Sequence, residues 1–255
     1  ITCRDWSSDV CSSDLVILTG VNTGDFGKST GESFLDLLKQ LEQIDGIERY
    51  RISSIEPNLI TKEIAEFVAN SRKFLPHFHI PLQSGSNRIL GLMRRRYRRE
   101  LFAERIQMIR ELMPQAFFGV DVIVGFPGEI EDDFADAYNF LKELKPSFLH
   151  VFPYSERPNT PAAEMEGKVN PSELKRRSAL LGELSNNLHT EFFKQHIGTR
   201  QSVLFESTRK AGLMFGFTGN YIKVAIPYDK DLVGKIVDVE LIEFSSEGFV
   251  TCRIL

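Results

Sequence analysis

Short apolar runs alternate with amphipathic stretches through the first two thirds of the chain. Five runs are strand-sized and rich in β-branched or aromatic residues, and four of them precede a segment with apolar residues at helical spacing. Strands that alternate with helices in this way predict right-handed crossovers and a parallel sheet. The predicted strands cover residues 15–18, 50–54, 77–81, 119–124 and 148–152.

Each predicted strand ends in a polar loop that contains Gly or Pro. Because the carboxyl ends of parallel strands meet at one edge, these loops are expected to converge on one rim, as at the mouth of a β/α barrel. An eight-fold barrel needs more units than the chain supplies. We therefore predict an α/β fold built on a partial parallel β/α barrel.

The rim loops carry polar side chains suited to a nucleoside-bearing ligand. Ser54 and Glu56 offer a hydroxyl and a carboxylate, the groups that bind ribose hydroxyls or an amine, while Asn22 and Gln83 offer amides. A turn-forming or capping role is the alternative interpretation of these loops.

Asp121 lies inside the most apolar predicted strand. The loop Gly-Phe-Pro-Gly-Glu follows this strand directly. A carboxylate there needs a partner or a ligand, so Asp121 is either a site residue or a paired structural residue. His77 and His79 share one face of the preceding strand by alternation. Because no carboxylate or Cys lies near them in sequence, we interpret both as core histidines with satisfied hydrogen bonds.

The pattern changes after Pro161. One long polar helix with a leucine seam is predicted first, and five short β segments with Gly turns follow, typical of a small OB-like barrel. The predicted organisation is a leader over 1–14, the partial β/α barrel over 15–170, a connecting helix over 171–197 and the all-β barrel over 198–255.

The leader, residues 1–14, shows no periodic pattern and repeats Ser-Ser-Asp. From Arg4 to Leu15 the sequence resembles a translated sequencing adapter fused to a coding region. We therefore expect the leader to be foreign to the domain that follows and to carry no function.

Composition narrows the function classes. A net charge of -4 argues against a protein that coats nucleic acid over its whole surface, but leaves room for a local basic patch. No apolar run reaches the roughly 18 residues of a membrane span, and the chain start lacks a signal-peptide core, which predicts a cytoplasmic protein without membrane contact. Cys3, Cys11 and Cys252 form neither a disulfide framework nor a close metal pair. The oligomeric state is left open.

Two basic clusters predict contact with RNA. The first packs five arginines into six positions, a density that favours phosphate over a mixed, solvated surface. The second interleaves aromatic and cationic residues in the β segments, which suits base stacking, although several aromatics are needed for the barrel core. The predicted RNA-binding residues are Arg94, Arg95, Arg96, Arg98 and Arg99 in the first cluster and Arg209, Lys210, Phe215, Asn220 and Tyr221 in the second.

Five motifs, in this order and spacing, resemble the radical S-adenosylmethionine tRNA methylthiotransferases, most closely the subgroup that acts on threonylcarbamoyladenosine in tRNA. The β segments, with Gly-Phe-Thr-Gly-Asn-Tyr at 216–221, resemble the TRAM RNA-binding domain. The motifs are Leu-Thr-Gly-Val-Asn at 18–22, Ser-Ser-Ile-Glu-Pro at 53–57, His-Ile-Pro-Leu-Gln-Ser-Gly-Ser at 79–86, Asp-Val-Ile-Val-Gly-Phe-Pro-Gly-Glu at 121–129 and Val-Phe-Pro-Tyr-Ser-Glu-Arg at 151–157.

The resemblance implies chemistry on a modified adenosine next to the anticodon. In this family a 4Fe-4S cluster on a Cys-x-x-x-Cys-x-x-Cys loop cleaves S-adenosylmethionine to a radical, and a methylthio group is added at C2 of the adenosine. A second cluster is thought to supply the sulfur. The resemblance implies tRNA as partner and S-adenosylmethionine contacts from Asn22, Ser54, Glu56, Gln83 and Asp121.

The cysteines depart from the family's pattern, because seven residues separate Cys3 from Cys11 and no third Cys is near them. The ligands of the 4Fe-4S clusters are therefore expected to be missing, which predicts an N-terminally truncated member that is inactive as written. Two other interpretations stay open. One is an RNA-binding module without catalysis. The other is a TIM-like barrel for a phosphorylated metabolite, which needs a phosphate loop that residues 153–161 do not convincingly supply.

Overall fold

Five parallel strands form the central sheet of this computed structural model, which describes residues 15–255. They pair in the order in which they occur along the chain, and every pairing is parallel. The predicted parallel sheet is therefore confirmed, while the predicted leader lies outside the described residues. The strands are β1 (Val16–Leu18), β2 (Tyr50–Ser54), β3 (Phe74–Gln83), β4 (Phe117–Val124) and β5 (Phe148–Pro153).

Helices follow the strands and begin at sequence-encoded caps. The Ser33 hydroxyl accepts the Asp36 N–H and the Asp36 carboxylate accepts the Ser33 N–H, a reciprocal capping box at the start of the first helix. Thr61 accepts the Ile64 N–H at the start of the second. The helices are α1 (Phe34–Glu42), α2 (Lys62–Asn70), α3 (Asn87–Leu92), α4 (Arg99–Leu112), α5 (Glu131–Leu144) and α6 (Pro171–Gln195).

Side-chain alternation divides the sheet into two faces. Ile52, Phe78, Ile80 and Val120 are almost fully buried and pack with the helices in the main hydrophobic core. The residues between them point the other way, onto what we call the inner face. Its side chains include Arg51, Ser53, His77, His79, Phe117, Asp121, Phe148 and His150.

The C-terminal region is a closed β-barrel with the strand order β10-β8-β7-β6-β9. β8 and β10 pair in parallel, and the other pairings are antiparallel. Val203, Phe205, Val224 and Val239 fill its core. The prediction of a small five-stranded barrel is confirmed. Its strands are β6 (Arg200–Lys210), β7 (Leu213–Thr218), β8 (Lys223–Pro227), β9 (Ile236–Phe244) and β10 (Val250–Ile254).

The sheet and the small barrel are docked through aromatic and amide contacts. Phe117, at the start of β4, belongs to the barrel's hydrophobic core. Asn220 Nδ2 donates to the Gln115 carbonyl oxygen over 3.0 Å and lies 3.1 Å from His196 Nε2. Asn220 is only 2% exposed. Its side chain joins the two parts of the molecule, and its contact with RNA stays a prediction.

Two details of the fold differ from the sequence-based prediction. α3 was not predicted as a separate helix, since a six-residue helix is too short to show helical periodicity. β3 begins at Phe74 and not at His77. Within residues 15–255, no helix is both long enough and apolar enough to cross a membrane.

Candidate active site

One cleft at the carboxyl ends of the strands gathers all five residues predicted to contact the cofactor. This rim cleft has a volume of about 540 Å³. Its lining includes Asn22 after β1, Ser54 and Glu56 at the end of β2, Gln83 at the end of β3 and Asp121 on β4. Parallel pairing brings these loops together, as expected. Their role in cofactor binding stays a prediction.

The first two rim loops are connected by hydrogen bonds. Asn22 Oδ1 accepts the Glu56 N–H over 3.2 Å, while its Nδ2 donates to Asp25 over 2.8 Å. Thr23 Oγ1 donates to the Ser54 carbonyl oxygen over 2.9 Å. These bonds hold the backbone of Ser54 and Glu56 against the first rim loop.

Gln83 has left-handed backbone at the end of β3, with φ of 70°. For a residue with a side chain this conformation costs about 1–3 kcal/mol, and such costs concentrate at functional sites. The buried Tyr97 hydroxyl lies 2.8 Å from the Pro81 carbonyl oxygen and 3.2 Å from that of Leu82. Burial raises the pKa of Tyr97, so the hydroxyl stays a donor that holds this strand end.

Part of the first arginine cluster lines the same cleft. Arg94, Arg95 and Arg96 are all in its wall. Arg95 Nη1 lies 3.4 Å from the Glu56 carboxylate, whereas Arg94 and Arg96 are exposed. The cleft therefore presents both carboxylates and guanidinium groups to a ligand.

Asp121 is paired with a histidine and also lines the cleft, so both interpretations of this residue describe part of its environment. His79 Nε2 lies 2.6 Å from Asp121 Oδ1, and Asp121 is aligned with His150 across β4 and β5. These partners could not be predicted, because His79 and His150 are far from Asp121 in sequence. Burial lowers the pKa of His150.

Ligand atoms of His79, Asp121 and His150 all lie within 4.8 Å of one another. Two histidines and a carboxylate are a donor set that metal ions use. A tetrahedral metal ion with bonds of about 2.0–2.2 Å would hold its ligand atoms roughly 3.3 Å apart. The 2.6 Å contact between His79 and Asp121 is shorter and is a hydrogen bond.

The loop after β4 is held by a buried ion pair that the sequence did not reveal. Glu129 Oε1 accepts the Gly125 N–H over 3.1 Å and lies 2.7 Å from Arg177 Nη1. Both charged side chains are 5% exposed. Arg177 also pairs with Glu173 at 2.9 Å. The partner of the Gly-Phe-Pro-Gly-Glu motif thus comes from α6, far along the chain.

The rest of the first arginine cluster is divided by its contacts. Arg98 is exposed and precedes α4. Arg99 is partly buried, and its Nη1 lies 2.7 Å from Asp136. Arg98 is therefore available to phosphate, while Arg99 is already neutralised.

The second cluster is only partly on the surface. Arg209 and Lys210 are exposed at the end of β6. Phe215 is 8% exposed and packs against Phe249, and Tyr221 lies against Arg51 between the sheet and the barrel. The Phe215 ring is used in internal packing, while Tyr221 is partly exposed. Their contact with RNA stays a prediction.

His77 agrees only in part with its interpretation as a core histidine with satisfied hydrogen bonds. It is 8% exposed, as a core residue is, but its Nδ1 has no hydrogen-bond partner within the described residues. Burial is the main cause that lowers the pKa of His77 to about 3, so the ring is neutral at pH 7.

Comparison with known families assigns the part of the chain that contains most of the parallel sheet to a family. The family model described as the Radical SAM superfamily matches residues 13–141, about half of the chain. The chain belongs to the radical SAM superfamily. A second model, described as the TRAM domain, matches residues 194–254, which contain the small barrel of this radical SAM protein.

Curated relatives of this radical SAM protein are tRNA-modifying enzymes. It is 42% identical over 234 residues to the threonylcarbamoyladenosine tRNA methylthiotransferase MtaB of Bacillus subtilis (strain 168), covering 89% of this chain and 52% of the relative. It is 40% identical to MtaB of Aquifex aeolicus (strain VF5), covering 88% and 53%. It is 39% identical to the tRNA-2-methylthio-N(6)-dimethylallyladenosine synthase of Pelotomaculum thermopropionicum, covering 88% and 51%. The chain spans about half the length of these relatives.

The rim cleft fits S-adenosylmethionine. Its volume is within the range of about 300–1,000 Å³ usual for small-ligand sites. Its lining contains the carboxylates of Glu56 and Asp121, which would suit the ammonium and sulfonium charges, and the Ser54 hydroxyl, which would suit the ribose.

The described residues do not fit an iron–sulfur cluster. Cys252 is the only cysteine within residues 15–255 and lies on β10 of the small barrel. Burial raises the pKa of its thiol to about 11, so it is not the thiolate that a cluster needs.

Proposed function

We propose that this protein binds S-adenosylmethionine in the rim cleft and tRNA through its TRAM domain. The reaction it serves is methylthiolation at C2 of N6-threonylcarbamoyladenosine next to the anticodon, in the cytoplasm. The observation that carries the proposal is the convergence of five polar side chains from the ends of four strands in one cleft, within a chain that also has a TRAM domain.

Three features of the cleft support the cofactor assignment. Its first two loops are fixed by hydrogen bonds through Asn22 and Thr23. Gln83 keeps a costly backbone conformation at the cleft edge. Charges of both signs suit a zwitterion that carries an additional sulfonium group. When bound, S-adenosylmethionine supplies the radical precursor and the methyl group, while these residues bind and orient it.

The names of the relatives and the basic surface support the RNA substrate. Two of the three relatives cited above are named for threonylcarbamoyladenosine. Arg94, Arg96 and Arg98 are exposed beside the cleft, and Arg209 and Lys210 are exposed on the small barrel. Guanidinium and ammonium groups at these positions can contact phosphate without disturbing the core.

The cofactor assignment is tested by calorimetric titration of the 255-residue chain with S-adenosylmethionine. Saturable binding is expected, weakened at least tenfold in the double variant Glu56→Gln and Asp121→Asn. Glu104→Gln, an exposed change on α4, is the control and should bind like the wild type. Absence of binding by the wild type, together with retained tRNA binding, would favour the RNA-binding module without catalysis.

The RNA assignment is tested by tRNA binding at several salt concentrations. Replacing Arg94, Arg96 and Arg98 with Ser should weaken binding and flatten its salt dependence, because fewer counterions are released from the tRNA. Arg99→Ser is the matched control, since Asp136 already neutralises that arginine. An unchanged salt slope in the triple variant would remove the cluster from the interface.

A further inference from the structure

A second cavity lies on the inner face of the sheet, beside the rim cleft. This inner cavity has a volume of about 470 Å³ and is lined by residues of all five strands, by His189 of α6 and by Tyr221 of the small barrel. His79 lines the cavity, and its hydrogen-bond partner Asp121 lines the rim cleft. The His79–Asp121 pair therefore marks the boundary between the two sites.

Arg51 brings a positive charge into this cavity without an ionic partner. It is 8% exposed, and its Nε has no hydrogen-bond partner in the described part of the chain. Its guanidinium carbon lies 4.5 Å from the centre of the Tyr221 ring. No carboxylate among residues 15–255 forms an ion pair with Arg51. A buried charge left in this way is costly, and an anionic ligand would offset the cost.

His77 adds an unused polar atom next to Arg51. Its ring stacks on Phe117 at a centroid distance of 5.2 Å, and its Nδ1 is without a partner. A neutral imidazole can donate one hydrogen bond. Together with the Ser53 hydroxyl, which also lines the cavity, the site offers one cation and neutral hydrogen-bonding groups. That is the set expected around a carboxylate.

Gly119 leaves the space open. A Cβ atom at this position would lie 3.4 Å from His150 Nε2 and 3.5 Å from the Phe117 ring. Because Gly119 lines the cavity, a larger side chain there would extend into it. The volume is therefore maintained by the absence of a side chain on β4.

We propose that the inner cavity binds the carboxylate of an amino-acid substituent on N6 of the substrate adenosine, with Arg51 as its charge partner. This inference rests on the proposed function. In adenine, C2 and the N6-bearing carbon flank N1, so a base that presents C2 to the rim cleft directs its N6 substituent elsewhere. A threonylcarbamoyl group carries one carboxylate and one hydroxyl, whereas a dimethylallyl group carries neither and leaves Arg51 unpaired.

The test compares free nucleosides, measured by calorimetry on the 255-residue chain with saturating S-adenosylmethionine. The ligands are N6-threonylcarbamoyladenosine, its methyl ester and N6-dimethylallyladenosine. The wild type should bind the free acid at least tenfold more tightly than the ester. Arg51→Met should abolish this preference and Arg51→Lys should keep part of it. Gly119→Val should weaken all three nucleosides by filling the cavity. Arg110→Met, which removes an arginine from the ring of Phe118 outside the cavity, should bind like the wild type.

The outcomes separate this inference from the function on which it rests. Equal affinity of the wild type for acid and ester, or an unchanged preference in Arg51→Met, would overturn the carboxylate site even when S-adenosylmethionine still binds. Loss of S-adenosylmethionine binding by the wild type would instead contradict the proposed function. Melting temperatures of all variants show that each one is folded.

Discussion

The rim cleft and the inner cavity belong to one sheet, and each has buried polar atoms without a hydrogen-bond partner in the described part of the chain, Asn58 Oδ1 and Arg95 Nε in the cleft among them. They differ in how loops and charged groups are paired. In the cleft, Asn22 connects two loops through its amide, and Asp121 is paired with His79. In the cavity, Arg51 Nε and His77 Nδ1 have no hydrogen-bond partner within residues 15–255. The cleft carboxylates of Glu56 and Asp121 have charged or histidine partners, whereas the Arg51 cation of the cavity has no ionic partner within residues 15–255.

This difference suggests that the cleft and the cavity have separate roles, cofactor binding and substrate discrimination. A preorganised site suits a cofactor shared by a superfamily, because binding then requires little rearrangement. An unsatisfied buried cation suits discrimination between substrates, because only a ligand with the matching anion removes its desolvation cost. The comparison leads to four predictions, ordered by the size of the expected effect.

The largest effect is expected where the rim depends on a buried ion pair. Arg177→Met leaves the Glu129 carboxylate without its partner and should lower the free energy of unfolding by about 3–5 kcal/mol. Denaturant titration measures this change. Arg176→Met is the matched control, because Arg176 also pairs with Glu173 but is exposed, so its loss should change the free energy of unfolding far less. Equal effects of the two substitutions would contradict the stabilisation of the rim by the buried ion pair of Arg177 and Glu129.

The second prediction concerns pH and the buried histidine of the cavity. The unfolded chain protonates His77 near pH 6.5, whereas burial holds the folded pKa at about 3. Because the unfolded state then binds more protons, stability is lost as the pH falls from 6.5 towards 3, by about 2 kcal/mol at pH 5. His77→Phe should remove this part of the loss between pH 7 and pH 5, measured by denaturant titration. Phe148→Leu, a neighbouring change without titration, should retain it. The same loss in His77→Phe would show that other groups cause it.

The third prediction is a gain in stability. Arg51→Met removes an unpaired buried charge from the cavity and should raise the free energy of unfolding by about 1–2 kcal/mol. The same variant should lose its preference for the nucleoside carboxylate, so stability and specificity move in opposite directions. Denaturant titration with and without the nucleoside measures both. A destabilised Arg51→Met protein would mean that the contact with Tyr221 already satisfies the arginine.

The smallest effect is expected at a rim residue whose contacts are partly exposed. Asn22→Ala removes the acceptor of the Glu56 N–H and should lower the free energy of unfolding by about 0.5–1.5 kcal/mol. It should also weaken S-adenosylmethionine binding, because the Glu56 loop loses its support. Asn22→Asp keeps the acceptor and should retain most of the stability. Identical stability of the wild type and Asn22→Ala would argue against preorganisation of the cleft.

Local sequence patterns were sufficient to predict the parallel sheet and the convergence of its loops on one rim. The β-branched run of β4 and the Gly- and Pro-bearing loops after each strand contain that information, because strand type and crossover direction depend on near neighbours. The contacts between side chains that are far apart in sequence were not predictable. His79 meets Asp121, and Glu129 meets Arg177, through strand register and helix docking that involve residues far apart in sequence.

The packing roles of residues in the small barrel were not predictable for a related reason. Alternating aromatic and cationic residues describe an RNA-binding surface and a packed junction equally well in sequence. The structure buries Phe215 in the barrel and uses Tyr221 and Asn220 to dock it on the sheet. Which face of a strand is solvent-exposed depends on the docking of the two parts, and no local pattern records that.

The central claim, that the loops at the strand ends form one preorganised cofactor site, is tested most directly by amide chemical-shift mapping of the 255-residue chain during titration with S-adenosylmethionine. We predict saturable shifts clustered at Asn22, Glu56, Gln83 and Asp121, with few shifts in the small barrel. Shifts confined to the small barrel, or no saturable shifts at these four positions, would contradict the claim.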